Sequence, residues 1–152
     1  MSEITIDDFE LPATGGAPFK LSAQRGKNVV VYFYPKDDTS GCTIEGQEFA
    51  ALHAGFTHAN TVIAGVSRDD MKSHESFKAK FGFPFALLSD TDEKVCTQFG
   101  VMKLKNLYGK QVRGVERSTF VFNTQGQLVK VWRGLKAPGH AAEVLAFVQS
   151  LN

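Results

Sequence analysis

Three residue types at fixed offsets, Pro35, Thr39 and Cys42, put a thiol, a hydroxyl and a rigid turn residue within eight positions of one another. The seven residues before them, Asn28 to Tyr34 (NVVVYFY), form an almost unbroken β-branched and aromatic run, the pattern of a strand buried on both faces. After them, Phe49, Leu52 and Phe56 recur at helical spacing, and Pro35, Asp37, Asp38, Ser40 and Gly41 between are turn chemistry. Cys42 is therefore expected where a central strand hands over to a helix, in that helix's first turn. Backbone N–H groups there lack intrahelical partners, and the helix dipole adds partial positive charge. Both favour the thiolate, which is the nucleophile. The alternative is a small buried hydrophobe, a common fate of free cysteine.

The neighbours change that weighting. The string Tyr34 to Glu45, Y-P-K-D-D-T-S-G-C-T-I-E, resembles the peroxiredoxins, and within them the bacterioferritin-comigratory or Q-type group, whose members typically read Y-P-K-D-D-T-P-G-C-T-x-E. The likeness continues through G-V-S-R-D (65–69), F-P-F-A-L-L-S-D (83–90), F-G-V (99–101) and R-S-T-F-V (117–121). It implies a thioredoxin-like fold and a thiol-dependent peroxidase acting on hydrogen peroxide and organic hydroperoxides. Such an enzyme uses no cofactor and no metal, because thiolate sulfur supplies the electrons. Its partners would be a hydroperoxide and a thiol reductant (thioredoxin, glutaredoxin or glutathione), in an antioxidant role serving cell redox homeostasis.

Attack of sulfur on a peroxide oxygen requires a thiolate, donors aimed at both oxygens, and little competing water. Thr39 offers a hydroxyl and Cys42 its own backbone N–H. The resemblance places Arg117, which opens R-S-T-F-V, against the peroxidatic sulfur of Cys42; taken alone, a strand-end arginine reads as a solvated charge. Glu45, three residues past Cys42, is expected to accept from the arginine and fix its fork, or else to be an acid favoured early in a helix. Pro35 restricts the turn and shields the sulfur.

Two departures from the Q-type pattern matter. Many members carry a resolving cysteine five residues after the first, where this chain has Gln47; Ser40 also replaces the usual proline. A sulfenic acid on Cys42 then has two routes back: Cys96 within the chain, or an external thiol. Cys96, beside Val95 and three before Phe99, reads as a core position or as a resolving thiol, and the expectation is a one-cysteine mechanism. Gly46 inside the cysteine helix either weakens the first turn or marks a close packing contact.

The elements that must position these groups follow from periodicity. Residues 3–22 read as a short N-terminal hairpin, 28–34 and 61–66 as buried strands, the cysteine helix as running to about Gly55, and 70–81 as a helix. A strand is expected at 86–88, a short helix at 92–99 capped by Ser89 or Asp90, a polar loop at 103–116, and a hairpin at 118–132. A last helix, 139–151, is expected to bury Val144, Leu145, Val148 and Leu151. Together these give an α/β chain: a mixed central β-sheet with helices on both faces and an N-terminal β-hairpin, residues 1–152 forming one domain.

The chain's 152 residues, formal charge of +1 and two cysteines argue against a disulfide scaffold, nucleic acid or an anionic membrane as partner. An acidic N-terminus without an apolar run leads to the expectation of a cytoplasmic protein, monomeric as Q-type members often are. His53, His58, His74 and His140 are scattered and form no metal-ligand spacing.

Overall fold

The computed structural model describes residues 8–151. It begins with an antiparallel pair, β1 (Glu10–Leu11) and β2 (Phe19–Lys20), the hairpin expected near the N-terminus; its first residues, 3–7, lie outside the described part. β3 (Asn28–Phe33) follows, buried at every position. α1 (Ser40–Ala51), α2 (His53–His58), β4 (Thr61–Ser67), α3 (Met71–Phe81) and β5 (Ala86–Ser89) complete the first half. The second half holds α4 (Lys94–Gln98), β6 (Met102–Leu107), β7 (Lys110–Val115), β8 (Ser118–Phe122), β9 (Leu128–Arg133) and α5 (His140–Ser150).

The central sheet runs β5-β4-β3-β8-β9. β3 pairs β4 in parallel and β8 antiparallel, so it has a neighbour on each side and alternating residues buried on each face. Val29, Val31 and Phe33 face one core with Phe99, Phe120 and Leu88; Val30, Tyr32 and Tyr34 face the other with Phe49, Phe56, Val121 and Val144. This period-two division makes the sheet a wall between two cores. The first core is covered by the N-terminal hairpin and α4, the second by α1, α2 and α5. The β5 edge is covered: Ser89 donates to the Pro12 carbonyl at 3.0 Å, and Thr14 to the Leu87 carbonyl at 3.0 Å.

Four expectations need correction. The segment expected as a polar loop at 103–116 is a β-hairpin, β6–β7, paired from Met102↔Val115 to Leu107↔Lys110. Its turn is Tyr108-Gly109, with φ of +52° and +79°, the two left-handed residues of a tight hairpin turn. The hairpin lies outside the central sheet, and its exposed lysines and Leu104 leave no in-out alternation to read. The cysteine helix does not run unbroken to Gly55: Leu52 takes φ −100°, ψ 7°, and helix restarts at His53. In α5, Val144 and Val148 are buried, but Leu145 is only half-buried and Leu151 is exposed. The short helix α4 begins at Lys94 with Glu93 at its N-cap position rather than Ser89 or Asp90, but the Asp90 carboxylate accepts from the N–H groups of Val95 and Cys96 at 3.1 and 2.6 Å.

Candidate active site

β3 ends at Phe33, and its last antiparallel pair is Phe33↔Ser118. Arg117, one residue before Ser118, therefore stands beside the point where the chain leaves the sheet and turns towards α1. That register joins residues 75 positions apart. Arg117 Nη2 lies 3.4 Å from Cys42 Sγ, and Nη1 donates to Glu45 Oε1 at 2.6 Å. One guanidinium bridges the sulfur and the carboxylate through different nitrogens, a geometry a lysine ammonium cannot supply.

Cys42 is the third residue of α1 and only 3 % exposed. Among the described residues, the first backbone bond of α1 runs from Thr43 N–H to the Thr39 carbonyl at 2.8 Å. The Cys42 N–H precedes it and has no partner on the helix, so it remains a donor at the sulfur's own position. Gly41 supplies what sequence reasoning missed. A Cβ there would sit 2.9 Å from Arg117 Nη2, so the guanidinium passes over the bare backbone to reach Cys42. The signal was present in Gly41-Cys42, but was readable only as turn chemistry.

Glu45 is fully buried, and its Oε2 has no hydrogen-bond partner among the described residues. Burial pushes its carboxyl up to about 7, against the pull of Arg117. Burial acts to lower Arg117, but Glu45 and Cys42 outweigh it and hold the guanidinium above its ordinary value. Glu45 lies in the second turn of α1, past the reach of the dipole argument, and its partner is the arginine.

Thr39 occupies the N-cap position but makes no side-chain cap; its Oγ1 donates to the Lys36 carbonyl at 2.8 Å. With that proton committed, the hydroxyl has only lone pairs left to offer, so it is available as an acceptor rather than as the expected donor. Pro35 is half-buried in the same turn. Asp38, with φ +58°, closes the turn in a left-handed conformation and pairs with Lys80 at 2.8 Å.

The structure separates the two cysteines. Cys42 packs with Val30, Tyr32 and Phe49, whereas Cys96 packs with Val29, Val31 and Phe99, on the other side of the sheet. Cys96 is fully buried, and burial together with Asp90 drives its thiol well above the ordinary range. Gln47 is exposed on α1. Gly46 makes a close packing contact: a Cβ there would lie 2.6 Å from the Phe83 ring. Sequence spacing also missed a cluster beside the turn, Asp37, Asp69 and His74, whose side-chain donor atoms lie within 4.8 Å of one another.

A buried thiol at a helix start, held by a guanidinium that a carboxylate orients, fits a protein whose chemistry is nucleophilic sulfur. The AhpC/TSA family profile matches residues 4–131. Peroxiredoxin Bcp of Xanthomonas campestris is 51% identical over 150 residues, covering 97% of this chain and 94% of that protein. Peroxiredoxin Bcp of Bacillus subtilis is 43% identical over 145 residues, covering 95% and 92%. The solved bacterioferritin comigratory protein of X. campestris, studied for alkyl peroxide reduction, superposes with a TM-score of 0.90 at 50% identity, covering 94% of this chain and 91% of that one. This chain belongs to the AhpC/TSA family, in its Bcp or Q-type peroxiredoxin group. It is a thiol-dependent peroxidase with a thioredoxin-like fold.

Proposed function

We propose that Cys42 is the peroxidatic nucleophile of a one-cysteine peroxidase that reduces hydrogen peroxide and alkyl hydroperoxides and is recycled by an external thiol. The observation that carries this reading is Arg117 Nη2 at 3.4 Å from a sulfur in the first turn of α1. The Cys42 thiolate attacks the terminal oxygen of ROOH; the S–O bond forms as the O–O bond breaks. Sulfur gives up two electrons, leaving as RO⁻ an oxygen that takes a proton from solvent, and Cys42 becomes a sulfenic acid. Arg117 and the Cys42 N–H stabilise the charge developing on the oxygens, Thr39 Oγ1 accepts from the peroxide O–H, and Pro35 walls the turn. Glu45 keeps the guanidinium fork aimed at the sulfur.

A thiol R′SH then condenses with the sulfenic acid, releasing water and leaving a mixed disulfide. A second thiol displaces Cys42 as thiolate and leaves as R′SSR′. The position of Cys96 behind the sheet, and its poorly ionised thiol, support an external donor (thioredoxin, glutaredoxin or glutathione) over internal resolution. The chain acts as one domain, as a monomer and in the cytoplasm on this reading; among the described residues no helix is long and apolar enough to cross a membrane.

Intact-mass analysis after one equivalent of peroxide, with steady-state turnover on each reductant, tests it. Cys42→Ser should abolish peroxide consumption and Cys96→Ser should leave it within about twofold of the wild-type rate. Gain of one oxygen is expected. Loss of two hydrogens, with a Cys42–Cys96 cross-link on peptide mapping, overturns the one-cysteine mechanism.

A further inference from the structure

The turn that carries Pro35 and Thr39 and leads into α1 is held from α3. Asp37, in the middle of that turn, is buried, and its carboxylate is surrounded by donors. Tyr34 Oη donates to Oδ1 at 2.6 Å, Ser73 Oγ donates to Oδ2 at 2.7 Å, and His74 Nδ1 lies 2.7 Å from Oδ2. The Asp37 backbone N–H donates to Asp69 Oδ2 at 2.9 Å, and Asp69 in turn accepts from Ser67 Oγ. His74 is fully buried in the first turn of α3, and its other nitrogen, Nε2, is 2.8 Å from the Leu88 carbonyl of β5.

A carbonyl only accepts, so Nε2 carries a proton. Nδ1 and the Asp37 carboxylate then hold one further proton between them, whichever atom bears it. Both Asp37 oxygens, both His74 nitrogens and Asp69 Oδ2 are engaged in this way, so the cluster is a hydrogen-bonded tie between the turn and α3. Among the described residues, no bond of the tie reaches Cys42, Glu45 or Arg117, which are joined to one another between α1 and the start of β8.

We propose that His74 is a positioning residue for peroxide attack: acting through Asp37, it fixes the 35–39 turn and with it the Thr39 hydroxyl that receives the peroxide. His74 touches neither sulfur nor substrate. Its effect is on where the peroxide sits, whereas the group in contact with the sulfur itself is Arg117, with Nη2 3.4 Å from Sγ. Displacing a positioned group by about 1 Å costs on the order of a hundredfold in rate, so loss of the tie should be visible in peroxide attack and silent in simple alkylation of the same sulfur.

The two ring nitrogens can be removed one at a time. The amide nitrogen of Asn replaces Nδ1 and can still donate to Asp37; that of Gln replaces Nε2 and reaches Leu88 but not Asp37. The proposal rests on Cys42 being the reacting sulfur. Stopped-flow measurement of peroxide consumption and of iodoacetamide alkylation at one pH, on reduced protein, tests both. His74→Gln should lower the peroxide rate at least about tenfold, with the alkylation rate unchanged within about twofold, and His74→Asn should recover most of the loss. Ser73→Ala, a milder removal of one donor to Asp37, should show the same split at about threefold. Equal peroxide rates in the Asn and Gln variants, or peroxide and alkylation rates falling together, would overturn the assignment. Cys42→Ser in the same assay reports on the underlying reading: persistent peroxide consumption there refutes both, while its loss, with no split in the His74 and Ser73 variants, refutes the tie alone.

Discussion

Replacing Arg117 by methionine separates what the guanidinium does for stability from what it does for the sulfur. Arg117 is 16 % exposed and Glu45 not at all, so the substitution leaves a carboxylate buried without its counter-charge. Breaking a buried pair in this way costs up to about 3–5 kcal/mol where the carboxylate is fully ionised, mostly because the remaining charge is uncompensated. The cost depends on pH. Glu45 already sits at about 7 with the arginine present, against an ordinary 4.5. A carboxyl raised in the folded state contributes stability that is full below 4.5 and is lost as pH climbs through about 7. Without Arg117 it rises further, so each pH unit above 7 costs the variant about 1.4 kcal/mol until the group ionises. At pH 5 the carboxyl is protonated in both proteins, and the penalty should shrink to about 1 kcal/mol of lost packing.

Adding Glu45→Gln removes the buried charge altogether. The double variant should return to within about 1 kcal/mol of wild type at pH 8, since a neutral pair in place of a buried ion pair is often neutral or better. Reactivity should not return: peroxide consumption should stay down by about a hundredfold or more, the usual cost of one transition-state donor, and Cys42 alkylation at pH 7 should stay slow. Urea unfolding at pH 5 and pH 8, paired with stopped-flow peroxide and iodoacetamide rates, measures all four quantities. A double variant that recovers its reactivity, or an Arg117→Met protein destabilised equally at both pH values, would refute the account of the Arg117–Glu45 pair.

Gly41→Ala places a methyl 2.9 Å from Arg117 Nη2 and should push the guanidinium off Sγ, lowering the peroxide rate by about ten- to a hundredfold with little loss of stability; stopped-flow rates and thermal melts decide it. Thr39→Val removes the lone pairs left to the substrate and should lower peroxide attack by about 1–3 kcal/mol, with Thr39→Ser close to wild type, read from kcat/KM. Gly46→Ala drives a Cβ into the Phe83 ring and should destabilise the fold by about 1–3 kcal/mol in urea titrations, slowing peroxide attack and reduction alike.

Local pattern carried most of this architecture. The run at 28–34 could only be a strand buried on both sides, and Cys42 after a turn could only stand near a helix start. Periodicity does not show register, so Arg117 and Glu45 became partners of Cys42 through resemblance and were joined by the Phe33↔Ser118 pairing. The hairpin β6–β7 was hidden because both its faces are largely exposed, leaving no alternation, and its Tyr108-Gly109 turn lacks the usual Asn or Asp. The Asp37–His74 tie was invisible for another reason. Its members lie 37 positions apart, and a histidine on a helix has no signature that distinguishes it from a core residue.

The position of the two cysteines sets the last constraint. On the proposed one-cysteine reading the oxidised sulfur is the buried Cys42, Cys96 lies behind the sheet, and an external thiol must approach the sulfur in line. The sulfur has to come out. The structure limits how much helix can move with it: Gly46 is locked under Phe83, and Phe49 stacks on Tyr32 with ring centroids 4.7 Å apart. Gly46 is thus there for close approach, and on this reading it marks where the opening segment ends. On the proposed mechanism, oxidation turns the sulfur beside Arg117 Nη2 into a neutral sulfenic acid, so the guanidinium's contact with the first turn slackens while the Glu45 end stays paired. The amides of residues 43–45 should therefore exchange at least about tenfold faster with deuterium after one equivalent of peroxide, and those of residues 47–51 should not change. Uniform acceleration along α1, or none at 43–45, would mean that the reductant reaches the sulfur by another path.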